Sequence, residues 1–240
     1  MPRTIRIAVP CYSGEVVGHA MLSILRAVEE GREQGWRVDV SIRPLDSLLA
    51  RARNVMLTEF LASGADDLLW WDADLAAAPG AFTRLMSHRV DCVAGAYPAR
   101  SDPERYALNL AAASAPDPAT GLRRIEGVGA GFLRVTRAAV ERTAAHFPGL
   151  WCNDRQAGRL VWLFDGLLID HEYWGEDMIF CRRCIEAGVE AWLDPELTFH
   201  HFGMKAFSGC FGAYERRRAA AAITPAELAE ERTLLDAALI

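Results

Sequence analysis

A chain of 240 residues that is 51% hydrophobic and 24% charged suits one ordinary domain, or two very small ones, with a substantial core. Its formal net charge is −6, and of its 26 basic residues only Lys205 is a lysine. These numbers exclude a Gly-Lys-Ser/Thr phosphate loop, confine any pyridoxal Schiff base to Lys205, and give no electrostatic case for general nucleic-acid binding.

The opening MPRTIRIAVP contains Arg3 and Arg6 and lacks the long apolar core of a secretory signal. No stretch approaches the roughly 18–20 apolar residues that a membrane helix needs. Six scattered cysteines without a disulfide framework read as reduced thiols, so a soluble, cytoplasmic protein is expected. Cys181 and Cys184 are spaced C-x-x-C but fall inside a helical pattern with no second ligand pair, so they read as packing residues.

Residues 5–10 form an apolar run that suits a buried strand. Residues 18–33 place Met21, Leu22, Leu25 and Val28 at helical spacing, with Gly31 and Gly35 as stop signals. Trp36, Val38, Val40 and Ile42 alternate as a half-buried strand, and a helical pattern returns from Asp46 to Ala62, ended by Gly64. Residues 67–72 are a short apolar strand closed by acids, followed by a helix near 79–88 and a strand near 91–97. This alternation predicts an α/β layered fold with a mostly parallel sheet. Residues 99–122 read as loop, 124–135 as one glycine-interrupted strand and 136–146 as helix. Residues 150–174 are aromatic without one period, 175–187 read as helix, and 189–193 and 197–202 as short strands. Thr224-Pro225-Ala226-Glu227 carries an N-cap, a first-turn proline and a capping-box glutamate, which predicts a terminal helix over 225–239.

Three places carry chemistry. Trp70-Trp71-Asp72-Ala73-Asp74 puts two carboxylates where an apolar strand ends, and in open α/β sheets ligands gather there. If the segment stays extended both project the same way, and a divalent cation relieves their repulsion. Glu176 and Asp177 open a helix, where the dipole favours acids whatever their task, and where a carboxylate can also take a proton from a hydroxyl. Adjacent His200 and His201 in a strand point to opposite faces, so one of them at most reaches a given site.

Together these segments resemble the GT-A glycosyltransferases, particularly the family-2-like bacterial enzymes. The resemblance spans roughly residues 5–203 and rests on order and spacing. It runs through Val9-Pro10-Cys11-Tyr12, Ala52-Arg53-Asn54, the segment from Ser63 to Asp74, Gly129-Ala130-Gly131-Phe132-Leu133, Gly175-Glu176-Asp177, Asp194-Pro195 and His201-Phe202-Gly203. It implies a Rossmann-like GT-A fold over 1–212, with a nucleotide-sugar half at about 1–98, an acceptor half at about 99–212, and a helical extension at 213–240. It also implies a nucleotide-diphosphate sugar donor, Mn²⁺ or Mg²⁺ held by Asp72, Asp74 and His201, and a general base at Asp177 with Glu176 beside it. Pro10, Tyr12, Glu15 and Arg53 are expected around the nucleotide, and Ala73 and Gly131 around the donor. Lys205, four residues after His201, is expected near the diphosphate from that spacing.

The expected activity is transfer of a hexose-like sugar to a hydroxyl of a saccharide, lipid, protein or modified nucleobase. Trp151, Trp162, Phe164, Tyr173 and Trp174 suit either sugar stacking or core packing. A sugar nucleotidyltransferase is the nearest alternative, but the loop PCYSGEVVGH lacks the arginine and lysine those enzymes share there. A metal-free glycoside hydrolase and a non-catalytic nucleotide-sugar-binding protein of the same fold complete the alternatives.

Overall fold

The computed structural model describes residues 2–112 and 114–220. In chain order the elements are β1 (Thr4–Cys11), α1 (Gly18–Glu33), β2 (Arg37–Pro44), α2 (Leu49–Ser63), β3 (Asp67–Trp71), β4 (Leu75–Ala77), α3 (Ala81–Ser87), β5 (Cys92–Ala94) and β6 (Leu108–Leu110). They continue with β7 (Arg123–Val128), β8 (Phe132–Thr136), α4 (Arg137–His146), β9 (Trp151–Asp154), β10 (Gly158–Val161), β11 (Leu167–Ile169) and β12 (Glu172–Trp174). The last are α5 (Glu176–Glu186), β13 (Ala191–Leu193), β14 (Thr198–Phe202), β15 (Ala206–Cys210) and α6 (Phe211–Ala220). The helix expected over 225–239 lies outside the described residues.

Eight strands form the central sheet in the order β2-β1-β3-β8-β5-β13-β7-β6. Six of them run one way; β8 and β7 run the other. The expected mostly parallel sheet is therefore present. Its central strand β3 is buried along its whole length, and the period-2 pleat sends successive side chains to opposite faces. Leu68 and Trp70 pack with Met56, Phe60, Val140 and Phe180, from α2, α4 and α5. Leu69 and Trp71 pack with Ile24, Phe82 and Leu85, from α1 and α3. Helices thus cover both faces, as a sheet that is apolar on both sides requires. Cys181 and Cys184 are free thiols within the first of these cores, as the packing reading held.

Several local expectations need correction. Gly31 does not end α1; it lies inside it, where a Cβ would come within 2.3 Å of Val38 Cγ2, so the missing side chain lets helix and β2 touch. The stretch 124–135 is not one strand. It splits at residues 129–131 into β7 and β8, which are antiparallel members separated in the sheet by β5 and β13. The loop expected over 99–122 contains the edge strand β6, and the aperiodic 150–174 forms two short hairpins, β9–β10 and β11–β12. Strands of three or four half-exposed residues are too short to display a period. The segment after β14 adds β15, so that β15-β14-β4 makes a small second sheet beside the first.

A buried ion cluster ties β13 to α3. Asp194 accepts from Arg84 Nε at 2.6 Å and Nη2 at 3.0 Å, and contacts His88 Nε2 at 2.8 Å. Burial alone would raise this carboxyl, but hydrogen bonds from His88 and Arg84 outweigh it and hold it down to about 2. A depressed carboxyl stabilises the fold above its unfolded pKa of about 3.9, and that stabilisation is lost as pH falls through about 2. Asp194→Asn is expected to cost about 2–3 kcal/mol at neutral pH. In denaturant titrations the gap from wild type should close between about pH 4 and pH 2; a gap constant over that range refutes the assignment.

Candidate active site

The C-terminal ends of β1 and β3, with β14 beside them, enclose a cleft of about 610 Å³. Its lining includes Pro10, Tyr12, Glu15, Asp72, Ala73, Asp74 and His201, seven of the residues singled out from the sequence. Each arrives for a local reason. Pro10 and Tyr12 lie where β1 gives way to its following loop, and Tyr12 is 72% exposed at the cleft. Ala73 O accepts from Val17 N at 2.9 Å, which fastens the D-x-D turn to the entry of α1. Pairing of β14 with β4 sets His201 opposite Leu75, and Phe202 N donates to Asp74 O at 2.9 Å. Of the two histidines, His201 turns inward and His200 stays exposed against Ser208 Oγ at 2.6 Å.

The segment 72–74 is a turn closed by Leu75 N to Asp72 O at 3.1 Å, so the two carboxylates diverge. Asp74 Oδ1 meets His201 Nε2 at 3.4 Å, and its Oδ2 accepts from Arg100 Nη1 at 2.8 Å. Burial pulls Asp74 upward, but His201 and Arg100 outweigh it and hold the carboxyl below its ordinary value. For His201, burial works against protonation, and Asp74 and the Pro98 carbonyl reverse it, raising the imidazole.

Asp72 faces inward instead. Its Oδ1 accepts from Arg53 Nη2 at 3.2 Å and its Oδ2 from the Tyr97 hydroxyl at 3.2 Å. Desolvation raises its pKa, with Arg53 opposing. Tyr97 is pushed well above its ordinary value by burial and then by Asp72, which keeps the phenol protonated and donating. The same hydroxyl accepts from Gly131 N at 3.1 Å, while Asp72 N donates to Gly131 O at 3.0 Å. A Cβ on Gly131 would lie 2.5 Å from Asp72 Oδ2 and 2.6 Å from the Tyr97 ring, so only glycine fits under this carboxylate.

Behind Asp72 lies a second set of acids. Arg53, 2% exposed and lying against the rings of Trp70 and Phe164, has Nε 3.9 Å from Glu176 Oε1. Burial raises Glu176, with Arg53 opposing. Asp177 lies in the first turn of α5, accepting from Met178 N at 2.9 Å and Ala130 N at 3.4 Å. Arg53 Nε and Nη1 are buried without a hydrogen-bond partner.

The expected site residues therefore form two adjoining groups joined by Asp72. Asp74 and His201 meet in the cleft, and Arg53, Gly131, Glu176 and Asp177 gather behind it. Asp72 does not join Asp74 and His201 as a third converging ligand, because the turn directs it to Arg53 and Tyr97. Lys205 is not part of the cleft lining; it is ion-paired with Asp102 and lies over the Phe207 ring. Phe164 belongs to the core, stacked on Phe180 at 4.2 Å, whereas Tyr173 is exposed. Sequence reasoning missed Tyr97 and Arg100. Tyr97 ends the predicted 91–97 strand, and the strand-end rule that singled out Asp72 applies there equally.

Among the described residues, no three His, Cys, Asp or Glu side chains converge tightly enough to hold a metal ion by themselves. Two donors fit such an ion: Asp74, and His201, whose Nδ1 lies 2.9 Å from Pro98 O and leaves Nε2 facing the carboxylate. A backbone carbonyl on the far nitrogen is the usual way a ligating imidazole is oriented. Two protein ligands suit a divalent cation that completes its shell with phosphate oxygens and water.

A larger concavity, about 680 Å³, lies at the opposite ends of the strands, beside Arg3, Trp36 and Arg134. Arg3 and Arg134 are engaged there by Asp67. Ligands of open α/β sheets gather at the other end, which favours the smaller cleft.

No protein-family model and no curated protein sequence matches the chain. Solved structures do. A197 from STIV aligns with a TM-score of 0.52 at 18% identity, over 84% of this chain and 86% of that one. GalNAc-T7, solved with UDP, GalNAc and Mn²⁺, aligns with a TM-score of 0.51 at 13% identity, over 84% of this chain but 44% of that one. At such identities the likeness concerns the fold alone: this chain has a GT-A-like fold. Among the described residues, no helix is long and apolar enough to cross a membrane.

Proposed function

We propose that this protein is a cytoplasmic, metal-dependent glycosyltransferase that moves a hexose-like sugar from a nucleotide diphosphate to an acceptor hydroxyl. The observation that carries the reading is the meeting of Asp74 and His201 in a cleft at the strand ends, with Asp177 and Glu176 just behind Asp72. We assign this work to residues 1–212, with nucleotide contacts mainly from residues up to about 98 and acceptor contacts from those beyond. We assign residues 213–240 to an extension, of which residues up to Ala220 are described; α6 begins at Phe211 and runs into that part.

Tyr12 offers an exposed ring to the base, and Pro10 and Glu15 flank it towards the ribose. Asp74 and His201 would hold Mn²⁺ or Mg²⁺, which when bound supplies Lewis-acid neutralisation of the leaving diphosphate. Gly131 lets backbone approach the donor sugar beside Asp72. Asp177 takes the proton of the attacking acceptor hydroxyl as the new bond to the anomeric carbon forms. Arg53, expected near the nucleotide, holds the acids of the site together from behind. The acceptor is a saccharide, lipid, protein or modified nucleobase.

The alternative of a sugar nucleotidyltransferase gains nothing from the cleft, whose wall from Pro10 to Val17 carries no arginine or lysine. A panel of nucleotide sugars in thermal-shift assays tests the proposal. One or more should raise the melting temperature in Mn²⁺ and lose that effect in chelator or in Asp74→Ala. Stabilisation indifferent to both changes refutes the metal assignment.

A further inference from the structure

Asp74 already has a nitrogen partner on each oxygen. Oδ1 faces His201, and Oδ2 is taken by Arg100 at 2.8 Å. A divalent ion entering between Asp74 Oδ1 and His201 Nε2 would sit beside the guanidinium on Oδ2, and the two cations repel across one carboxylate. Release of Arg100 removes that repulsion, and the surroundings permit it. Its side chain is about half exposed and lines the cleft. Its stem crosses Gly203, where a Cβ would come within 2.9 Å of Arg100 Cδ. Gly203 is not among the positive-φ glycines, so its value here is space. The loop base is fixed by the Pro98–Tyr106 bridge and by Ala99 N to Arg105 O at 2.7 Å, which leaves side-chain rotation as the available motion.

Arg100 also has somewhere to go. Among the described residues it is the sole arginine or lysine in the cleft lining. Arg53 is sealed behind Asp72, and Lys205 is held by Asp102. A nucleoside diphosphate entering this cleft brings negative charge, and a guanidinium fork matches phosphate oxygens well.

We propose that Arg100 is the cleft's internal counter-cation: it holds Asp74 in the free protein, yields it to a divalent ion, and then pairs with the diphosphate. This inference rests on the transferase reading above and deepens it. Metal and nucleotide then help each other bind, with one side chain as the link.

The test measures binding alone. Free Mn²⁺ is counted by electron paramagnetic resonance, and UDP, GDP, ADP and TDP are titrated calorimetrically in saturating Mn²⁺. Arg100→Ala is expected to tighten Mn²⁺ alone by at least about fivefold and to weaken the bound diphosphate by at least about fivefold. Arg100→Lys, which keeps the charge, should fall between the alanine variant and wild type on both readouts. If wild type binds Mn²⁺ and a diphosphate, loses both in Asp74→Ala, and is unchanged by Arg100→Ala, the counter-cation role is overturned while the transferase reading stands. If wild type takes up neither Mn²⁺ nor any of the four diphosphates, the reading and this inference fall together.

Discussion

Asp177→Asn is expected to lower sugar transfer by about 10²–10⁴-fold while nucleotide and Mn²⁺ binding stay near wild type. The substitution keeps size and shape, and the asparagine oxygen can still accept from Met178 N at the start of α5. What it removes is the basic oxygen facing residues 129–131, where Ala130 N lies 3.4 Å from Oδ2. Asp177 does not line the cleft that holds Asp74 and His201, so donor binding has no direct contact to lose. Asp177 lies in the first turn of α5, at the positive end of the helix dipole. Turnover at the wild-type rate with a saturating donor refutes the base assignment. A fall in donor affinity with kcat intact places Asp177 in binding instead.

Arg53→Met carries the largest expected effect on stability. The guanidinium is buried and opposes the charges of Asp72 and Glu176. Removing one partner of such a cluster leaves the other charge without compensation, at a cost of about 3–5 kcal/mol. For a chain of this length that corresponds to a melting temperature lower by roughly 6–20 °C. Methionine keeps contact with Trp70 and Phe164, so the loss reports charge more than packing. The double variant Arg53→Met/Asp72→Asn removes the stranded carboxylate and should recover at least half of the drop. If the double variant is as unstable as the single, ring packing governs the site and the electrostatic account is wrong.

The parts of this arrangement that were legible in the sequence are those whose signal is local. Leu68 to Trp71 form an apolar run closed by acids, so β3 and the position of Asp72 at its end followed from hydrophobicity alone. The helices α1, α2, α4 and α5 followed from 3.6-residue spacing. Choosing His201 over His200 came from the family resemblance; the pleat showed only that the two face opposite ways. Contacts made across the fold left no such mark. Tyr97 reaches Asp72 beside Gly131, which precedes β8; a strand end marks residue 97 but not the carboxylate it meets. Arg100 sits in a stretch whose prolines and small residues read as plain loop. The divergence of Asp72 from Asp74 goes with a turn held by backbone bonds to residues as distant as Val17, Gly131 and Phe202, which the local sequence does not announce. Lys205 was placed near the diphosphate by sequence distance from His201, but the β14–β15 hairpin hands it to Asp102.

The position of β8 has a consequence for how the molecule is made. A chain leaving the ribosome presents β1, β2 and β3 first, and these three can pair with one another at once. Strand β5 has no such opportunity, since its neighbours β8 and β13 both follow it. It waits, with Tyr97 just beyond its end, until residue 136 and then residue 193 have been added. The β1–β3 floor of the cleft thus precedes the acid cluster during synthesis. Asp72 can meet Tyr97 and Gly131 only once β8 lies between β3 and β5, and Glu176, Asp177 and His201 follow later still in the chain.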